Sequence, residues 1–145
     1  MNKENFVYYK LILEFKGTKF LGWQKQKDFN PTVQGELEKA CKIIFKSDDI
    51  HTIGSGRTDT GVHSLDHHVK LKAPFKIENN SLLKALNSHL DLNIRVLSIS
   101  DSDNSFLPTN HAKSKEYIYL FSNLESESAF QSDYIVNYRH DLNLS

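Results

Sequence analysis

The strongest constraint on the fold is the order in which hydrophobic periodicity changes along the chain. Tyr9, Leu11, Leu13 and Phe15 are spaced by two and interleave with Lys10, Glu14 and Lys16, the pattern of a strand with one face in a core. Val33, Leu37, Ala40, Cys41, Ile44 and Phe45 then recur at spacings of three and four, the stripe of an amphipathic helix. Thr32 stands before that stripe with a hydroxyl suited to N-capping. Strands are predicted over 50–55 and 62–73, the latter near Pro74. Asn79, Asn80 and Ser81 supply cap candidates for a second helix, whose face is Leu82, Leu83, Leu86 and Leu90. A fourth strand is predicted over 94–100, followed by a polar stretch over 101–105. In a fifth strand over 117–121, whose pattern suits burial on both faces, Tyr117, Tyr119 and Phe121 alternate with Glu116, Ile118 and Leu120, and a short one is predicted over 134–138. The order β-α-β-β-α-β predicts an α+β fold of the ferredoxin-like type, an antiparallel sheet with two helices on one face. That fold hosts many activities, so function has to be sought in a site.

A chain of 145 residues fits a single domain with one core. It has no apolar stretch long enough for a bilayer. Met1-Asn2-Lys3-Glu4-Asn5 lacks the apolar run of a secretory signal, so a soluble, cytoplasmic protein without a membrane partner is expected. One cysteine allows no disulfide framework within the chain, and the position of Cys41 in the helix stripe makes it core filler. The 18 basic and 18 acidic side chains cancel. Any polyanionic partner must therefore be met by a local basic surface. Lys39, Lys42 and Lys46 lie mostly off the helix stripe and are read as a solvated face.

Chemistry-bearing residues are densest in Gly56-Arg57-Thr58-Asp59-Thr60-Gly61-Val62-His63. The glycines permit a sharp turn. Between them, a cation and a carboxylate stand two residues apart. One reading is a loop salt bridge between Arg57 and Asp59. The other is a carboxylate kept anionic by the arginine and used as nucleophile or base. A dinucleotide loop needs glycine where Asp59 stands, and a phosphate-cradling P-loop needs a Gly-Lys-Ser/Thr ending that is missing. His63, Asp66, His67 and His68 invite a metal. On a strand, however, only His63 and His67 share a face, and no helical zinc motif is present, so no metal is expected.

The cluster Gly56-Arg-Thr-Asp-Thr-Gly-Val-His63 resembles the G-R-T-D-A-G-V-H signature of the TruA-type family of tRNA pseudouridine synthases, differing at Thr60. Four further blocks resemble the family in its own order. Phe15-Lys-Gly-Thr-Lys-Phe-Leu-Gly-Trp-Gln24 is similar to Y-D-G-T-x-F-x-G-W-Q, and Thr32-Val-Gln-Gly-Glu-Leu-Glu38 to T-V-Q-x-x-L-E. Ala85-Leu-Asn87 through Ile94-Arg-Val96 is similar to L-N-x-x-L-P-x-D-I-x-V, and Lys115-Glu-Tyr-Ile-Tyr119 to K-x-Y-x-Y. The resemblance implies isomerisation of uridine to pseudouridine in tRNA, in the anticodon stem-loop region, without metal or cofactor. Uracil leaves its N-glycosidic bond, rotates and rejoins ribose through C5. Asp59 would be the essential carboxylate, acting on ribose, on the base, or as a base toward a ribose proton. Arg57 would orient Asp59 and hold the RNA. Thr58 and His63 would join the substrate-binding set, and Tyr117 would stack on the extruded uracil. Trp23 and Gln24 would shape a loop near the RNA, with plain core packing equally open for Trp23.

The same resemblance marks departures. Phe106-Leu-Pro-Thr109 replaces F-H-A-R or F-N-A-R, so a threonine stands where an arginine is expected. His68 replaces a glutamine, and Asp91 replaces a proline. Family members have two similar halves around a cleft and act as homodimers. Residues 1–145 are thus expected to be one domain, the N-terminal half, with a second half absent. The competing expectation is an RNA-binding module that keeps the motif without turnover.

Overall fold

The alternation at the start of the chain becomes the central strand of a sheet. In the computed structural model, which describes residues 5–28, 30–123, 128–138, 140 and 143, β1 (Val7–Phe15) is bonded on both edges. α1 (Val33–Phe45), β2 (His51–Gly54), β3 (Ser64–Ala73), α2 (Asn79–His89) and β4 (Ile94–Ser102) follow. The strand order is β2-β3-β1-β4 and every pair is antiparallel. This is the ferredoxin-like arrangement predicted from the periodicities.

Register puts the core on one face. Tyr9 lies opposite Leu71 and Leu11 opposite Val69, and all four are buried with Val33, Leu37 and Phe45 of α1 and Leu82 and Leu86 of α2. Burying each such leucine stabilises by roughly 1.5–3 kcal/mol. Cys41 is part of this core. Desolvation, with Glu38 adding to it, pushes its thiol up to about 12, so it stays protonated and unreactive.

Helix α1 is capped as its sequence predicts, with Thr32 Oγ1 accepting from Gly35 N at 3.1 Å. Helix α2 is not. The cap is Glu78, whose carboxylate accepts from Asn80 N at 2.9 Å and Ser81 N at 2.8 Å. Those amides hold its pKa below the usual carboxylate value. β3 starts at Ser64 rather than at residue 62, because Gly61 turns with φ +80° and Val62 N bonds back to Asp59 O at 3.2 Å. β4 runs on to Ser102, opposite Tyr8, through residues predicted as a polar connection.

The chain divides into two compact units, Met1–Ala112 and Lys113–Ser145. In the second, β5 (Phe121–Ser122) pairs parallel to β6 (Val136–Asn137), and Ala129–Gln131 form a 3-10 turn. Between the sheet and this unit, α3 (Pro108–His111) is a single short turn of helix. The strand predicted over 117–121 does not form; only Phe121 enters β5. Its side chains alternate, but a strand also needs a partner for its backbone. Among the described residues no hydrogen bond engages 113–119, and Tyr117, Ile118 and Tyr119 are exposed. Among the described residues no helix is long and apolar enough to cross a membrane.

Candidate active site

The loop 55–63 leaves β2 and enters β3, and a second loop, 17–23, fastens it. Gly17 N donates to His63 Nδ1 at 2.9 Å. Gly61 N donates to Phe20 O at 3.3 Å, and Trp23 N donates to Thr58 O at 3.1 Å. Such backbone approach leaves no room for side chains. A Cβ on Gly17 would lie 2.0 Å from Val62 O, and one on Gly22 would lie 2.4 Å from Thr58 O. Gly22 also has φ +81°, a region L side chains avoid. The two glycines of the Phe15–Gln24 block are therefore there for contact between loops.

Loop 17–23 is itself tied to α1 and β2. Val33 N and Gln34 N donate to Gly22 O and Trp23 O at 3.2 and 3.0 Å. The Gln34 carboxamide accepts from Lys25 N at 2.8 Å and donates to Thr52 O at 3.0 Å. Glu38 accepts from Thr52 Oγ1 at 2.8 Å and pairs with Lys25 Nζ at 2.9 Å. Buried polar groups are tolerated only when satisfied in this way. The sequence matches the Thr32–Glu38 block without revealing that Gln34 and Glu38 brace this loop. Trp23, only 2% exposed, packs against His67 with centroids 4.3 Å apart and the rings tilted by 41°. A Cβ on Gly54 would sit 2.6 Å from each of these two rings.

The backbone of the 55–63 loop is fixed while its candidate side chains are left outside. Asp59 and Arg57 are both exposed. Among the described residues no ion pair or hydrogen bond engages either side chain, so the loop salt bridge is not formed. The ties run through Thr58 O, Gly61 N and His63, and none of them recruits the charged groups. Thr58 Oγ1 is buried without a partner. The ring of His63 closes the loop onto Gly17. Tyr117 is exposed in the second unit.

The histidines predicted near one another have separate surroundings. His67 is buried against Trp23 and Phe15, while His68 Nε2 lies 2.9 Å from Asp66. Among the described residues no three His, Cys, Asp or Glu side chains gather as a metal site.

A cleft of about 270 Å³ opens beside the loop, with Arg57, Gln24, Ile53 and Thr109 in its lining and no carboxylate. Sequence reasoning singled out Arg57 and Thr109 separately. It did not anticipate that they share a wall with Ile53, because the lining comes from segments far apart in the chain.

Comparison with known proteins gives concordant matches. Residues 11–106 match the family described as tRNA pseudouridine synthase. A tRNA pseudouridine synthase A from Thermodesulfovibrio yellowstonii is 35% identical over 139 residues, covering 96% of this chain and 54% of that protein. One from Dictyoglomus thermophilum is 39% identical over 130 residues, covering 88% and 52%. One from Ureaplasma parvum is 37% identical over 127 residues, covering 87% and 52%. The chain spans about half the length of the curated relatives it matches.

Proposed function

Because the chain belongs to the tRNA pseudouridine synthase family, we propose that it is the aspartate-bearing half of an enzyme that converts uridine to pseudouridine in tRNA. The carrying observation is Asp59, an exposed carboxylate without a partner among the described residues, on a loop tied to loop 17–23 by two backbone hydrogen bonds and by one to the His63 ring. A group held on a fixed backbone with its side chain uncommitted is suited to meet a substrate. In this reading the N1–C1′ bond breaks and a C5–C1′ bond forms. The proton lost from C5 is balanced by one gained at N1. The reaction has no net redox change and calls for no cofactor. Asp59 serves as the nucleophile or base of that exchange, and Arg57, which makes no ion pair or hydrogen bond with it among the described residues, holds the RNA. Tyr117 offers an exposed ring to the extruded uracil, and Thr58 and His63 hold the loop that meets the substrate. The substrate region is the anticodon stem-loop of cytoplasmic tRNA. The working enzyme has a second half to complete the cleft and acts as a homodimer.

The test is release of tritium from tRNA labelled at C5 of uridine, assayed with the 145-residue chain alone and with the second half of a relative supplied. Product is expected only in the second case. Asp59→Asn is expected to abolish it while changing stability by no more than about 0.5 kcal/mol, as for an exposed side chain. Retained turnover in Asp59→Asn overturns the assignment. Thr109 in the cleft, where the family pattern has arginine, favours a second reading as an RNA-binding module without turnover. That reading expects tRNA binding and no tritium release under either condition.

A further inference from the structure

We infer that the cleft beside Arg57 is a second nucleotide subsite, for the residue of RNA next to the target uridine; this rests on the reading that Asp59 meets the target itself. Asp59 is not among the residues lining the cleft, although Arg57, two positions earlier, is. Among the described residues the lining therefore carries one cation and no acid, which suits a phosphate-bearing ligand.

The groups left over for a ligand match the parts of a nucleotide. Gln34 and Thr52 also line the cleft, but their polar atoms bond to each other and to Lys25 N and Glu38. Among the described residues, Gln24 and Arg57 make no hydrogen bond. A carboxamide offers a donor and an acceptor to a base edge, and a guanidinium suits a phosphate. Ile53, 43% exposed on the edge strand β2, offers an apolar surface to a base face.

The wall carrying Thr109 is built by a buried lysine. Lys70 is 6% exposed, lies in register with Ile53, and donates to Asn104 O at 2.6 Å and Asn104 Oδ1 at 3.1 Å. Lys10 lies 5.6 Å over the Phe106 ring. These contacts hold the segment leading into α3 against the sheet, and so hold Thr109 at the cleft. A buried ammonium is costly unless paired, and here its hydrogen bonds go to this segment. An arginine at position 109 would bring a long side chain and a second cation to the cleft; threonine leaves the space open.

The experiment is an NMR titration of the 145-residue chain with uridine 5′-monophosphate and with the dinucleotide UpU. The chain is expected to bind UpU about tenfold more tightly than the mononucleotide. Gln24→Ala and Thr109→Arg are each expected to remove that gain and leave mononucleotide binding unchanged. Spectral dispersion checks that both variants fold. Three results would overturn the inference: no gain in the unmodified chain, a gain that survives in either variant, or a Gln24→Ala that weakens both ligands equally. The last would make the cleft the target's own pocket. The gain needs no turnover, so it stays readable even if the role of Asp59 fails in the tritium assay.

Discussion

Two of the segments that resemble the family, the loop 55–63 and the stretch 113–121, differ in what holds them. Asp59 and Arg57 in the first are exposed, and so are Tyr117 and Tyr119 in the second. In the first, two backbone positions and the His63 ring are bonded to loop 17–23, and loop 17–23 is bonded in turn to α1. In the second, among the described residues, no hydrogen bond engages 113–119. Fixing a backbone costs about 1–2 kcal/mol per residue. For the loop that cost is offset within the first unit. For the stretch, among the described residues, no hydrogen bond within 113–119 offsets it. Exposure of a functional side chain therefore says little about the order of the chain beneath it.

The contrast breaks most visibly at Trp23. Its ring is buried against His67, and its amide and carbonyl bond to Thr58 and Gln34. Trp23→Ala keeps the backbone but removes the ring, which is expected to cost about 3–5 kcal/mol. Urea unfolding measures this. Hydrogen exchange should quicken at the amides of 58–63 and stay unchanged over 113–119. Unaltered exchange across 58–63 would mean that the loop holds its shape without loop 17–23.

A smaller effect is expected at His63, whose ring accepts a hydrogen bond from Gly17 N. His63→Ala leaves the part-buried Gly17 N–H without its acceptor, at a cost of about 1–2 kcal/mol. The clearest readout is the Gly17 amide, which should exchange faster than in the unmodified chain. A stability change near zero would show that water replaces the imidazole freely, and that the loop depends on its two backbone-to-backbone ties alone.

The same contrast marks what the sequence reveals. β1 and α1 are legible because each buries a face in the core, and burial imposes periodicity on every residue of the element. The loop ties are legible only as glycines at fixed places, since Gly17 and Gly22 report a close approach without naming Val62 and Thr58 on the other side. The ion pair expected from the spacing of Arg57 and Asp59 does not form, because two residues of loop leave side-chain direction undetermined. The cap of α2 was sought among Asn79, Asn80 and Ser81. A glutamate just before them reaches two amides at once. The strand over 117–121 failed for another reason. Alternation describes its side chains, and pairing depends on a neighbour that alternation does not specify. Gln34, Ile53 and Lys70 escaped notice because their partners, Thr52, the cleft and Asn104, are distant in sequence.

The smallest effect on stability belongs to Tyr117, and it separates function from fold. Its ring is 72% exposed, and it makes no hydrogen bond among the described residues. Tyr117→Ala should shift the unfolding free energy by no more than about 0.5 kcal/mol. If the ring stacks on an extruded uracil, the same substitution should weaken RNA binding in the two-half enzyme by the stacking term of about 1–3 kcal/mol. Trp23→Ala does the reverse, lowering stability directly and binding only through the loop. Limited proteolysis gives an independent measure, since cleavage needs a chain free to enter a protease. It should begin within 113–121 and spare 55–63 in the unmodified chain, and Trp23→Ala should open the second site. A Tyr117→Ala chain that loses several kcal/mol of stability would place that ring in a packed interface, and the difference between the two segments would then be one of partners rather than of order.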